Sequence, residues 1–177
     1  MENDTVFLRE VEPEDASLLL LWENCPTVKR VSGRQENYSL AEINAFIAQS
    51  KNVEALQQVR FMICKTEDKF PIGTVDLYDM DFHHRHAGIG VLIKDEANRN
   101  KGFASQAINK CIQLGIEKYQ IVNYFCVIHK NNLASIKLFE KNGFVHIGVR
   151  KNWYYLDGKW EDELMFQRCE IENNEKE

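Results

Sequence analysis

The stretch GIGVLIKDEANRNKGFASQAINKCIQLG, Gly88–Gly115, runs from a strand through a polar turn into a helix. Ala87, Ile89, Val91 and Ile93 share one strand face, and Gly88, Gly90 and Leu92 share the other. From about Lys101 to Lys118 the period becomes helical, with Ala104, Ile108, Cys111, Ile112 and Gly115 on one stripe. Basic residues and a glycine stand at the helix entrance. The first N–H groups of a helix have no internal partner, and the helix dipole favours negative charge there. Gly102 lets an anion approach the backbone, Ala104 keeps the next turn clear, and Arg99 and Lys101 add attraction. The pattern R-x-x-G-x-A lacks both the Walker ending and the dinucleotide G-x-G-x-x-G, so a different pyrophosphate-bearing ligand fits. Two glycines on one strand face weaken a sheet unless something approaches the backbone, so a ligand lying along this strand is expected.

Working outward, VFLRE (6–10) reads as a first strand, and Pro13 opens a helix over LLLLWENC. Ser39-Leu40-Ala41-Glu42 is a capping box, followed by a stripe of Leu40, Ile43, Phe46 and Ile47. VRFMICK, PIGTVDLYDMD and HAGIGVLIK read as strands, the first two joined by the polar TEDKF. IVNYFCVI (121–128) reads as a buried strand, and 132–142 as a helix closed by Gly143. The last pair of strands turns at Asp157-Gly158. The order β-α-α-β-β-β-α-β-α-β-β makes a mixed sheet with helices on its faces, of α/β (α+β) class. One domain over residues 1–170 and a flexible acidic tail over 171–177 are expected.

The 177 residues carry 44% hydrophobic and 28% charged side chains and a net charge of -5. That balance disfavours a nucleic-acid surface and mildly favours a cationic partner. No run approaches the ~20 apolar residues that span a bilayer, and MENDTVFLRE lacks signal-peptide character. The five cysteines have no C-x-x-C spacing and read as reduced packing residues, which points to a cytoplasmic protein without membrane association. His83, His84 and His86 lack a fourth ligand at a recognisable spacing, so a hydrated loop and no metal are expected.

A third element is NNLASIKLFEKNGF, residues 131–144, where Asn132, Ser135 and Phe139 fall near one another and Asn132 also suits a helix cap. Together with the R-x-x-G-x-A turn, it resembles the signatures of the GNAT superfamily of acetyl-CoA-dependent N-acetyltransferases. YYLDGKWEDELMF is similar to the ending of its ribosomal-protein and spermidine acetyltransferase branch. The resemblance runs from about Val6 to Arg168. It implies a mostly antiparallel sheet of six to seven strands flanked by about four helices. It also implies direct acetyl transfer from the thioester to a primary amine in a ternary complex.

The same resemblance implies residue roles. Leu92 and Ile93 would offer backbone groups to the pantetheine, Ile93 facing the thioester carbonyl. Arg99, Asn100, Lys101, Gly102, Phe103 and Ala104 would hold the pyrophosphate. Asn132 would bond the pantetheine arm, with Ser135 beside it. The chain departs from the pattern at Phe139, where many relatives carry a tyrosine acid, and at Gly88, where some carry glutamate. An acceptor ammonium must still lose its proton. Asp76, which shares a strand face with Thr74 and Tyr78, is the first candidate for base or acceptor contact, and Tyr78, Asp79 and Glu36 follow. Tyr154 and Tyr155 are candidates to close the pocket, 13–51 to supply acceptor contacts, and 34–38 to act as a lid. The acceptor is a polyamine, amino sugar, amino acid or protein N-terminus, and a homodimer is expected. The alternative is a non-catalytic acyl-CoA-binding regulatory module.

Overall fold

The computed structural model describes residues 4–32 and 34–171. The acidic tail expected at the end of the chain therefore lies outside the described residues, apart from Ile171. The chain forms β1 (Val6–Glu10), α1 (Ala16–Glu23), α2 (Pro26–Ser32), α3 (Leu40–Gln49) and α4 (Val53–Leu56). Then come β2 (Val59–Lys65), β3 (Pro71–Asp81), β4 (His86–Ile93) and α5 (Phe103–Tyr119). It ends with β5 (Asn123–His129), α6 (Leu133–Lys141), β6 (Val145–Leu156) and β7 (Lys159–Cys169). The short α2 and α4 join the four helices that the sequence pattern resolves.

Among the described residues the strands form one seven-stranded sheet in the order β1-β2-β3-β4-β5-β7-β6. Every neighbouring pair is antiparallel except β4 with β5. Pleating divides the side chains into two layers. One face buries Val75, Leu77, Ile89, Tyr124 and Phe166 against Ala107, Ile108, Cys111 and Ile112 of α5. The other seats Met62 and Cys64 against Leu19 and Trp22 of α1 and Ile43 and Ile47 of α3. At the edge of that layer, both oxygens of Asp15 take the Arg9 guanidinium at 2.7 Å. Burial raises the Asp15 carboxyl's pKa, but Arg9 and the Glu12 N–H outweigh it and leave it below the usual range.

Local chemistry sets the element ends. Ser39 and Glu42 close the reciprocal capping box of α3. Asp157 and Gly158 both have positive φ, as a two-residue hairpin turn between β6 and β7 requires. Gly115 is small because a Cβ there would stand 2.4 Å from the Tyr124 hydroxyl oxygen, which lies 2.9 Å from the Ile112 carbonyl.

The glycine-bearing face of β4 corrects one expectation. A Cβ on Gly88 would fall 2.3 Å from Tyr78 Cε2, so a cross-strand ring occupies the space assigned above to a ligand. Gly88 pairs with Tyr78 in the β3–β4 ladder, and the ring crosses it toward Phe125, 5.8 Å away edge-on. Only at Gly90, where the nearest Tyr78 atom is 3.8 Å from a built Cβ, does the strand face open.

Candidate active site

The β4–β5 contact is the one parallel pairing and also the shortest. It holds His86↔Asn123, Ala87↔Tyr124 and Gly88↔Phe125, while β4 continues to Ile93 and β5 to His129. Past Gly88 the two strands part. Their separation opens a cleft of about 1110 Å³, lined by Gly90–Lys94 on one side and by His129, Asn131 and Asn132 on the other. The Lys94 N–H bonds the Ile72 carbonyl of β3, so by alternation Leu92 also turns its backbone groups to β3. Val91 and Ile93 turn theirs toward the gap. Leu92 lines the cleft but packs its side chain on the α1–α3 cluster, and Val91 joins Ile93 as a source of open backbone groups.

At one end of this gap stands the start of α5. Gly102 is its N-cap, with φ +82° and no side-chain cap, and nothing lies within 4 Å of a Cβ built on it. The N–H groups of the first helical turn therefore open onto the cleft, which Gly102, Phe103, Ala104 and Ser105 line. Asn100 also has positive φ, which tightens the turn. Arg99 folds back toward the Ile93 and Lys94 carbonyls at 3.4 Å and lines the cleft with Asn100. Lys101 is exposed and outside the lining.

Across the gap, Asn132 caps α6 by accepting the Ser135 N–H at 3.2 Å. Its amide NH2 remains as a donor beside the cleft, and Ser135 lines the same wall. Phe139 is buried edge-on against Phe144, 5.0 Å away, and offers no proton where a tyrosine hydroxyl would.

The cleft passes through the parted strands to the α1–α2 side of the sheet, where Glu23, Arg60 and Asp76 meet. Arg60 donates Nε and Nη2 to the two Asp76 oxygens at 2.6 and 2.9 Å, and Nη1 to Glu23 Oε1 at 2.6 Å. Burial disfavours the Arg60 charge, yet the carboxylates more than offset that and raise its pKa. Asp76, the first acceptor candidate, therefore lies in the cleft already bound to a guanidinium. Tyr78 and Asp79 do not line it, and Asp79 sits exposed on a bulge with φ +47°. Glu36 is exposed in the α2–α3 loop. Cys25 lies on the same wall, and its thiol pKa is lowered to about 7 by Lys94, with help from the Thr27 and Val28 N–H groups.

His129 is a cleft residue that sequence reasoning missed. Its Nε2 stands 3.1 Å from Glu161 Oε2, off the line of a good hydrogen bond, and its ring lies 5.6 Å from that of Tyr154. Tyr154 in turn donates to the buried Glu163 at 2.5 Å, and Arg150 pairs with the same carboxylate at 2.8 Å. Tyr154 thus braces the wall from behind, while Tyr155 is exposed against Trp160. Among the described residues, no group of three or more His, Cys, Asp or Glu is arranged to hold a metal ion.

The acetyltransferase (GNAT) domain family matches residues 5–145. The chain belongs to the GNAT acetyltransferase family. An uncharacterized N-acetyltransferase of Bacillus subtilis, YoaA, is 30% identical over 162 residues, 89% of each chain. Spermidine N(1)-acetyltransferase of Vibrio cholerae is 25% identical over 113 residues, 64% of each chain. The solved spermidine N-acetyltransferase from Vibrio cholerae in complex with CoA and spermine shares this GNAT fold, with a TM-score of 0.83. That likeness covers 95% of this chain and 97% of the other at 20% identity. A dodecameric structure of the Vibrio cholerae enzyme superposes with a TM-score of 0.77 at 22% identity, over 95% of each chain.

Proposed function

We propose that this GNAT protein transfers acetyl from acetyl-CoA to a primary amine by direct attack in a ternary complex. The observation that carries the reading is the parted β4–β5 ladder, with an uncapped helix start at one end and a buried ion-pair cluster at the other. The residues present fit the cofactor. The α5 N-terminus, with Arg99, Asn100, Lys101, Gly102, Phe103 and Ala104, suits a pyrophosphate. Val91 and Ile93 offer strand-like hydrogen bonds to the amides of a pantetheine arm, Asn132 offers its NH2, and Ser135 stands beside it. The Ile93 N–H is the donor best placed for a thioester oxyanion, a contact of a kind worth ~10²–10³ in rate.

Acceptor binding falls to the α1–α2 side, around Glu23, Asp76 and Arg60. With Asp76 engaged by Arg60 and with no hydroxyl on Phe139, proton removal goes to solvent through the open cleft, and positioning supplies much of the acceleration. The CoA complex of the Vibrio cholerae neighbour supports the cofactor, and the spermidine acetyltransferase relatives support an amine acceptor. The dodecameric neighbour supports self-association of this chain, and the exposed β6 edge is the face we assign to it.

The test is calorimetric titration with acetyl-CoA, alongside Gly102→Glu, which places an anion where the pyrophosphate is assigned. Micromolar binding that weakens by about a hundredfold in the variant is the expected result, as like charges brought together at a helix start predict. Absence of binding by the unaltered protein overturns the reading.

A further inference from the structure

The acceptor half of the cleft has a particular charge balance. Glu23, Arg60 and Asp76 come from α1, β2 and β3, and their side chains are only 15–18% exposed. Two carboxylates face one guanidinium, so the cluster carries a single surplus negative charge. Asp76 uses both oxygens on Arg60, but Glu23 gives only Oε1, and among the described residues its Oε2 has no partner. The other charged side chains lining this half are Arg30 on α2 and Lys94 just past β4, while the cleft's remaining carboxylate, Glu96, is exposed beside Arg99 at the α5 end. Arg30 meets Asp157 at 3.3 Å in an exposed pair, and Lys94 sits beside the Cys25 thiol.

We infer that the acceptor is an amine with a single ammonium group, its remainder neutral or anionic, and that Glu23 Oε2 holds that ammonium. The inference rests on the acetyltransferase reading above and narrows its acceptor. A buried carboxylate with one open oxygen takes one cation well. A second or third ammonium on the same molecule meets Lys94, and the nearby carboxylates Asp76 and Asp157 are already engaged by Arg60 and Arg30, so a further cation gains no open carboxylate there and is opposed by Lys94. A polyamine, the acceptor that the names of several relatives carry, is therefore a poor match for this particular cleft.

The experiment uses the full chain at saturating acetyl-CoA, with released thiol as readout. Three five-carbon acceptors differ only at the far end: cadaverine, aminopentanol and aminopentanoate. Spermidine and the common amino acids complete the panel. The expected result is a kcat/KM for a single-ammonium acceptor at least about tenfold above cadaverine and spermidine, the scale of discrimination one misplaced charge gives. Glu23→Gln is expected to raise the KM for the favoured amine about tenfold while leaving the KM for acetyl-CoA unchanged, a split that a merely structural role does not produce. Arg30→Glu, at an exposed position, is expected to narrow the gap in favour of cadaverine. Preference for cadaverine or spermidine, or an unchanged amine KM in Glu23→Gln, overturns the inference and leaves the acetyltransferase reading standing. Acetyl-CoA binding without thiol release on any amine overturns both.

Discussion

Cys25 shows how a residue's neighbours override its composition-level reading. As one of five unpaired cysteines it reads as packing, yet Lys94 and two helix-start N–H groups bring its thiol down to about 7. Because the lowered pKa stabilises the thiolate, the reactive form is half populated near neutral pH and falls away below it. The rate of alkylation at Cys25 by iodoacetamide is therefore expected to rise through about pH 7 and level off, whereas an ordinary thiol keeps gaining to about pH 8.5 and above. Peptide mass spectrometry against the exposed Cys169 measures this within one sample. Lys94→Met is expected to move the Cys25 midpoint upward, and an unmoved midpoint assigns the shift to the backbone donors alone. Gly88 carries the opposite lesson. A strand glycine signals close approach of some group, and sequence supplies the fact of the approach without the identity of the group. Here it is the Tyr78 ring across the ladder.

At the scale of elements, most of the fold was readable, because helix and strand periods are written within ten or so residues. The α3 capping box, the Asn132 cap, the Gly143 terminator and the Asp157-Gly158 turn all stand where local pattern put them. The cleft positions of Arg99, Asn100, Gly102, Phe103, Ala104 and Asn132 were readable for the same reason, since these residues lie in two short motifs. The parting of β4 from β5 was not readable, because it depends on where pairing stops between strands some 30 residues apart in the chain. Nor was the Glu23–Arg60–Asp76 cluster, whose members come from three separate elements. Asn132 combines a local role with a cleft role, and two substitutions separate them. Asn132→Ala removes the cap and is expected to cost about 1 kcal/mol in urea unfolding. Asn132→Asp keeps the cap but removes the NH2 donor, so stability within about 0.5 kcal/mol of the parent is expected together with acetyl-CoA binding weakened about tenfold. Unchanged acetyl-CoA binding in Asn132→Asp limits Asn132 to the cap.

The sheet of the whole molecule ends on a long edge strand, β6, that no further strand covers among the described residues. Val145, Ile147 and Val149 lie along it, 42–66% exposed, with a bulge at Ile147 that turns Val145 and Val149 to opposite faces, and Trp153, Tyr155 and Trp160 stand exposed at the hairpin tip. Several exposed apolar side chains gathered on one edge strand and its hairpin tip mark a candidate binding surface. Two features of the strand shape what can bind. Its register slips twice, between His146 and Gly148 and between Arg150 and Tyr154, where Asn152 has positive φ, so the strand twists away from simple edge-to-edge pairing. The strand reaches the cleft through Tyr154, which is held by the buried Glu163 beside Arg150 and lies against the wall residue His129. A second copy seated on this surface would cover the row and stiffen the wall. Sedimentation velocity is expected to find an oligomer at micromolar concentration. Because a two-fold contact counts each residue twice, Ile147→Glu is expected to weaken association by more than about a hundredfold. The variant should fold, since the side chain is already exposed, and its far-UV circular dichroism is the control. A monomeric parent protein, or an unchanged oligomer in Ile147→Glu, removes β6 as the contact. A monomeric variant with altered acceptor or acetyl-CoA KM would show that assembly acts on the cleft, by way of the Tyr154 ring against His129.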